Sequence, residues 1–443
     1  MNRLSCIRLI TALFSGLLLN SLHGQTPNEN QASTSTQSSS QPSLVSVTDS
    51  IQPAIDKGDE QMQFAPALDG SGLISMDSTI SKRLLVGVTA SGGWDSNPDN
   101  LGNGASSGIY TLSPYFGIRS NTASTQFLLQ YQPTITGYSS SAYTNQTMHA
   151  VTIAILGNVN ERWKWNLNAS GNHGEDATRF LAPQQSVAVG EVPGTGPNSA
   201  SYLANAGTVT YVTGSAGVQY RKSERDSLEF GIANTFSRYS GLSQNNSIAT
   251  TSLGYDRDLS PSVEMRAYAQ NYYYYGAINC ESFGGGAGIK WHVLDGAFLS
   301  LSGGPQINTT ACGNQQRFSY SAAFSTRLTG KSQIYVLAAR EPAISYQGPG
   351  LWQTSASAGY QRQVLAAGTL KFDVGHVSSD NSTAVNSYHG TYVDCVYSVQ
   401  LDHGFNASYS YRGFVGDTGG TGFSRNVALF SLAWTPNAGH LFR

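Results

Sequence analysis

From Lys82 onward, apolar and polar residues alternate with a period of two. In TQFLLQYQPTITGY, Phe127, Leu129, Tyr131, Pro133 and Ile135 alternate with Gln126, Gln130, Gln132, Thr134 and Thr136. In RWKWNLNASGN, Trp163, Trp165, Leu167 and Ala169 alternate with Lys164, Asn166, Asn168, Ser170 and Asn172, and HGFNASYSYRG repeats the pattern with Phe405, Ala407, Tyr409 and Tyr411 against Asn406, Ser408, Ser410 and Arg412. Each run predicts a strand with one apolar and one polar face.

A soluble sandwich gives the same alternation, so the links between runs decide the architecture. Long links are expected at Asp95 to Ser107, Ser139 to Thr144 and about Asn172 to Tyr202. Between them fall short ones: SNTAS from Ser120, NER from Asn160, SERD from Ser223, LSPS from Leu259, TGKS from Thr329 and LAAG from Leu365. That rhythm predicts an all-β fold, a transmembrane up-and-down antiparallel barrel, rather than a Greek-key sandwich. The runs from Leu84 to Trp434 number about 18, with 16 as the neighbouring even count. An even count puts both termini on the periplasmic side and the long links outside. Closure is compulsory in hydrocarbon, where an unpaired backbone amide has no water to bond. Tyr272 to Tyr275, Trp163 and Trp434 are expected in interfacial girdles.

Ahead of the barrel, residues 83–443, three segments are expected. Residues 1–24 carry Arg3 and Arg8 before the apolar run Leu9 to Leu19 and read as a signal peptide. Residues 25–44 form a Ser/Thr/Gln-rich disordered tether, here in the periplasm. Residues 45–82 are either a periplasmic extension or a small plug. Composition agrees with export and β structure: of 443 residues only 12% are charged, about half the soluble average, while Gly (48) and Tyr (24) are abundant. A net charge of -2 gives no field to draw a polyanion, so no nucleic-acid partner is expected.

By phase, the lumen is lined by Arg119, Gln126, Gln130, Gln132, Lys164, Asn166, Asn168, Glu229, Glu264, Arg266, Lys290, Lys371, Asp373, Asp394 and Arg412. Such a wall of amides, hydroxyls and scattered charge suits neutral, hydroxyl-rich solutes. Its cations slightly outnumber its acids, which predicts a weak lean toward anions. Cys280 and Cys312 fall in two successive long links on the oxidising side and are expected to form a disulfide. Cys395 shares the apolar face with Val393 and Tyr397. Asp95, Asn97, Asp99 and Asn100 in WDSNPDN offer oxygen ligands for a hard cation, but lack the EF-hand spacing and equally read as turn chemistry. The eight histidines show no HExxH, and Asp373 and His376 face opposite sides of one strand. No catalytic residue, metal or cofactor is expected.

The stretch GGWDSNPDN ends the first strand, and YTLSPYFGIRS and QFLLQYQPTITGYS follow it. The aromatic-Asp-x-Asn element at Trp94, Asp95 and Asn97, with these two strands, resembles the β-barrel porin family of Gram-negative outer membranes, some members of which are associated with exopolysaccharide production and export. The resemblance implies an outer-membrane, porin-like channel for hydrophilic solutes, with a link to polysaccharide export or uptake. The competing reading is a non-conducting barrel with adhesive or structural surface loops. The chain departs from the usual barrel pattern at its end, NAGHLFR, where Phe442 is penultimate. Expected partners are outer-membrane lipid, lipopolysaccharide and small hydrophilic solutes or saccharides, with a homo-oligomer left open.

Overall fold

A computed structural model describes residues 82–98, 104–122, 124–175, 208–239, 245–276, 279–294, 297–312, 316–329, 331–345, 348–365, 368–380, 388–418 and 421–435. The expected signal peptide and tether, all of the expected extension except Lys82, and also Asp99, Asn100 and the terminal NAGHLFR, lie outside the described residues. The strands are β1 (Lys82–Asp95), β2 (Ser107–Asn121), β3 (Thr125–Tyr138), β4 (Gln146–Asn158), β5 (Trp163–Gly174), β6 (Val209–Arg221), β7 (Asp226–Tyr239), β8 (Asn245–Ser260) and β9 (Val263–Tyr275). They continue with β10 (Cys280–Leu294), β11 (Ala297–Asn308), β12 (Gln316–Thr329), β13 (Ser332–Ser345), β14 (Gly348–Leu365), β15 (Gly368–Asp380), β16 (Tyr388–Gln400), β17 (Phe405–Thr418) and β18 (Thr421–Trp434). Every strand pairs antiparallel with its sequence neighbours, and β1 also pairs with β18, so the 18-stranded sheet closes into a barrel.

The alternation works as a physical sorting rule. Leu112, Phe116, Ile118, Leu167, Phe230, Ile232, Leu253 and Phe430 are exposed on the outer face, while their strand neighbours turn inward. The loop rhythm is less regular than the sequence suggests. At the loop end, residues 346–347 and 419–420 are links as short as any turn at the other end. The tyrosine run also divides: Tyr275 is exposed, but Tyr272 and Tyr274 are buried on the inner face against Ile248, Cys280 and Cys312. A period of two sends alternate members of any run to opposite faces, so only half of it is available to a girdle. Trp163 against Tyr220 and Phe405 against Trp434 form ring pairs at the short-turn end.

The ladder between β10 and β11 is interrupted at a glycine-lined crease in the pairing. Their pairing runs from Ser282↔Asn308 to Gly284↔Gln306, resumes at Ala287↔Gly303, and skips Gly285 and Gly286 opposite Gly304 and Pro305. A Cβ at Gly304 would lie 1.9 Å from the Gly285 carbonyl oxygen, and one at Gly286 would lie 2.2 Å from that of Gly303. Only glycine permits backbones this close.

Candidate functional site

Three clusters gather most of the inward carboxylates with their cations. The first lies near the short-turn end on four adjacent strands. Asp256 on β8 stands directly opposite Arg266 on β9, and Glu264 opposite Lys290 on β10. Arg266 reaches past β8 to β7, where its Nη2 donates to Glu229 Oε2 at 2.6 Å, and its Nε lies 3.6 Å from Asp256 Oδ1. Lys290 Nζ donates to Glu264 Oε1 at 2.9 Å. Gly254 makes the reach possible, because a Cβ there would sit 2.8 Å from Arg266 Nη2. Glu229, Asp256 and Lys290 are buried.

The second cluster occupies β15, β16 and β17. Asp373 and Asp394 are register partners, a like-charge juxtaposition that is unfavourable alone. Lys371 Nζ binds Asp373 Oδ2 at 2.9 Å and Arg412 Nη2 binds Asp394 Oδ2 at 2.9 Å. The pairing with cations is what allows two carboxylates to face each other.

The third cluster lies at the seam. Arg425 on β18 donates from Nε to Asp95 Oδ1 at 3.0 Å and Oδ2 at 3.1 Å, and Nη2 also bonds Oδ2. Both side chains are 0% exposed. On its own strand Arg425 stands between the buried Phe423 and Val427, and its register partner is Phe414. These residues form one apolar cluster with Ile109, Tyr138, Val377 and Leu429. The Asn97 backbone N–H donates to Asp95 Oδ1 at 3.0 Å, and the Asn97 amide donates to the Ser424 carbonyl at 3.0 Å. Asp95 and Asn97, considered above as cation ligands, are thus turned to β18 and fasten the first strand to the last.

The remaining lumen candidates lie on β2, β3 and β5. Gln130 is opposite Gly117 and Thr152, and its amide donates to Gln132 at 3.4 Å. Gln126 is exposed near the turn. Lys164 stands opposite Asn158 and Gln219, Asn166 opposite Leu156 and Gly217, and Asn168 is buried opposite Ala154 and Ser215. Arg119 pairs by backbone with Arg83 and Leu128; its side chain lies outside the described residues. Cys280 and Cys312 are bonded to each other with Cα atoms 5.4 Å apart, and Cys395 is a free thiol. Asp256 and Arg425 are cluster members that the sequence pattern does not assign to the lumen, and Asp95 reads there as an oxygen ligand rather than as the partner of Arg425. In the three clusters Arg266, Lys290, Lys371, Arg412 and Arg425 meet Asp95, Glu229, Asp256, Glu264, Asp373 and Asp394, and Arg317 and Arg340 stand outside them, both against the ring of the buried Trp352.

No protein-family model and no curated protein matches the sequence. Among solved structures, the chain is similar to OpdQ from Pseudomonas aeruginosa at 10% identity and a TM-score of 0.42, over 80% of this chain and 98% of that one. It is similar to OccAB2 from Acinetobacter baumannii at 10% identity and 0.44, over 80% and 98%. The siderophore receptor PirA from Pseudomonas aeruginosa matches at 8% and 0.42, over 80% of each chain. These likenesses are too distant to bear on cargo, and the closed sheet establishes the barrel without them.

Proposed function

We propose that the chain is an outer-membrane barrel that passes small hydrophilic solutes through its lumen. The observation that carries this reading is the separation of the two faces. Large apolar side chains such as Phe116, Ile118, Phe230 and Phe430 stand exposed on the outside, where water would penalise them and lipid would not. The ion pairs and the amides of β3 and β5 turn inward. Strands of 12 to 18 residues exceed the ~9–11 needed to cross a bilayer.

The clustered charges neutralise one another in pairs, and the amides and hydroxyls of the wall suit neutral solutes carrying many hydroxyls. Saccharides are therefore the first solutes to test, in keeping with the resemblance to exopolysaccharide-associated barrels. The test is single-channel conductance of refolded protein in a planar bilayer, with liposome swelling in neutral sugars alongside. Steady current and swelling support the pore. An electrically silent barrel that admits no sugar overturns it, in favour of a barrel whose surface loops are the working part.

A further inference from the structure

We infer that the lumen is divided into two lobes, that solutes are confined to the lobe bounded by β14–β18 and β1–β8, and that Lys371, Asp373, Asp394 and Arg412 set its ion preference.

Three observations converge. First, β13 approaches β8 and β14 approaches β9 to within 8 Å between Cα atoms, although four strands lie between the members of each pair. Packed sheets ordinarily stand ~10 Å apart, so no aqueous gap remains where these strands meet. Second, the wall from β9 to β13 curls back on itself. The Tyr268 hydroxyl on β9 hydrogen-bonds Ser319 on β12, spanning β10 and β11, and the glycine crease lies between them. Third, the inner face of the small lobe is packed on β11, whereas the large lobe is packed at its seam, where Phe423, Arg425, Val427, Leu429, Ser431 and Ala433 of β18 are all buried, but mostly half-buried on β3 and β5. On β11, six successive inner positions, Phe298, Ser300, Ser302, Gly304, Gln306 and Asn308, are all buried. On the inner face of β3, Gln126 is exposed, Leu128, Gln130, Gln132 and Thr134 are half-buried, and only Thr136 and Tyr138 at the loop end are buried.

The small lobe is packed with its own polar groups. The Gln306 amide donates to Ser282 Oγ at 2.7 Å, Ser282 Oγ donates to Asn308 Oδ1 at 2.6 Å, and Ser319 Oγ donates to the Gly304 carbonyl at 3.1 Å. The Arg266 cluster borders this packed region, with the Lys290 side chain 5% exposed. The Lys371 side chain, on the other lobe, is 24% exposed. A fixed charge governs permeating ions only where they pass close to it. The division itself stands on packing; its consequence for ion preference rests on the pore reading.

Single cysteines in a Cys395→Ser background separate the two. Thr152→Cys and Ser410→Cys line the large lobe, and Ser302→Cys and Ser325→Cys the small one. Folded protein in vesicles is exposed to a membrane-impermeant cationic methanethiosulfonate and followed by intact mass. The first pair is expected to label quickly and the second only after unfolding. Similar rates at all four positions overturn the division, whether or not the barrel conducts. In conducting protein, Lys371→Gln is expected to move the reversal potential toward cations, while Lys290→Gln, which removes the same charge beside the packed region, leaves it in place. A shift of equal size from Lys290→Gln overturns the assignment of the selectivity charges.

Discussion

Replacing Arg425 with Met tests how the barrel is closed. In the folded chain the Asp95 carboxylate is fully buried, and its charge is balanced by the guanidinium through three hydrogen bonds. With methionine in place of Arg425, Asp95 keeps the Asn97 backbone N–H but sits uncompensated among Phe414, Phe423, Val427 and Ile109. Removing one member of a buried pair costs about 3–5 kcal/mol, a large part of the ~5–15 kcal/mol that ordinarily holds a protein folded. Removing both members has a different outcome. Two desolvated charges replaced by apolar groups of similar size are close to neutral, or stabilising by up to ~4 kcal/mol, so Asp95→Leu with Arg425→Met should recover most of the loss.

The assay is equilibrium urea unfolding in lipid vesicles, followed by tryptophan fluorescence, for wild type, both single variants and the double variant. The cycle should yield a coupling of at least ~2 kcal/mol, toward the upper end for residues in one network. If Arg425→Met is too unstable to measure, Asp95→Asn keeps the shape of the carboxylate and supplies the single-variant arm. A cost below about 1 kcal/mol, the size of an exposed pair, or a double variant no more stable than Arg425→Met, would refute the claim that this pair is desolvated and closes the seam.

Three further outcomes are expected. Leu167→Arg on the lipid side should cost about 2–4 kcal/mol if it lies near the midplane, and Asn166→Arg on the inner face clearly less; equal costs by urea unfolding would reverse the assignment of faces. Gly254→Ala places a methyl group 2.8 Å from Arg266 Nη2 and should destabilise by about 1–3 kcal/mol, whereas Gly214→Ala, whose Cβ would meet nothing nearer than 3.9 Å, should not follow it. The Cys280–Cys312 bond closes a span of 32 residues, for which chain entropy gives about 3–4 kcal/mol. Unfolding with and without reductant measures that difference, and a non-reducing digest should yield one linked peptide pair lacking Cys395.

Strand identity and facing were legible because the environment imposes them. With hydrocarbon outside and polar groups within, Leu129 and Gln130 can sit on one strand in only one phase. The tyrosine run misled because residue type was allowed to outweigh phase at Tyr272 and Tyr274. Partnership was illegible for a different reason. Asp95 and Arg425 stand 330 residues apart, and nothing local to either names the other. What GFSRNVALF did carry was a warning: Arg425 shares its phase with Phe423, Val427 and Leu429, and a cation among apolar inner positions requires a buried counter-charge. The run GGGAG of β10 carried a similar hint, since glycines inside strands mark bends and close approaches.

The crease and the charge pairs act on the same problem. An 18-stranded ring drawn as a circle would leave a wide aqueous lumen, where paired charges on the wall would be screened within about 10 Å by ordinary salt and discriminate poorly. Folding β9–β13 into a packed lobe removes part of that section from the path and brings the remaining walls nearer to whatever passes. A narrower path makes the four charges on β15–β17 effective, while their pairing keeps the net field small. Opening the crease should therefore raise conductance and weaken selectivity together. Gly304→Val, whose side chain cannot fit against the Gly285 carbonyl, is the direct perturbation. A variant that stays folded and closed, with larger single-channel current but unchanged reversal potential in a salt gradient, would break the link between lobe packing and selectivity.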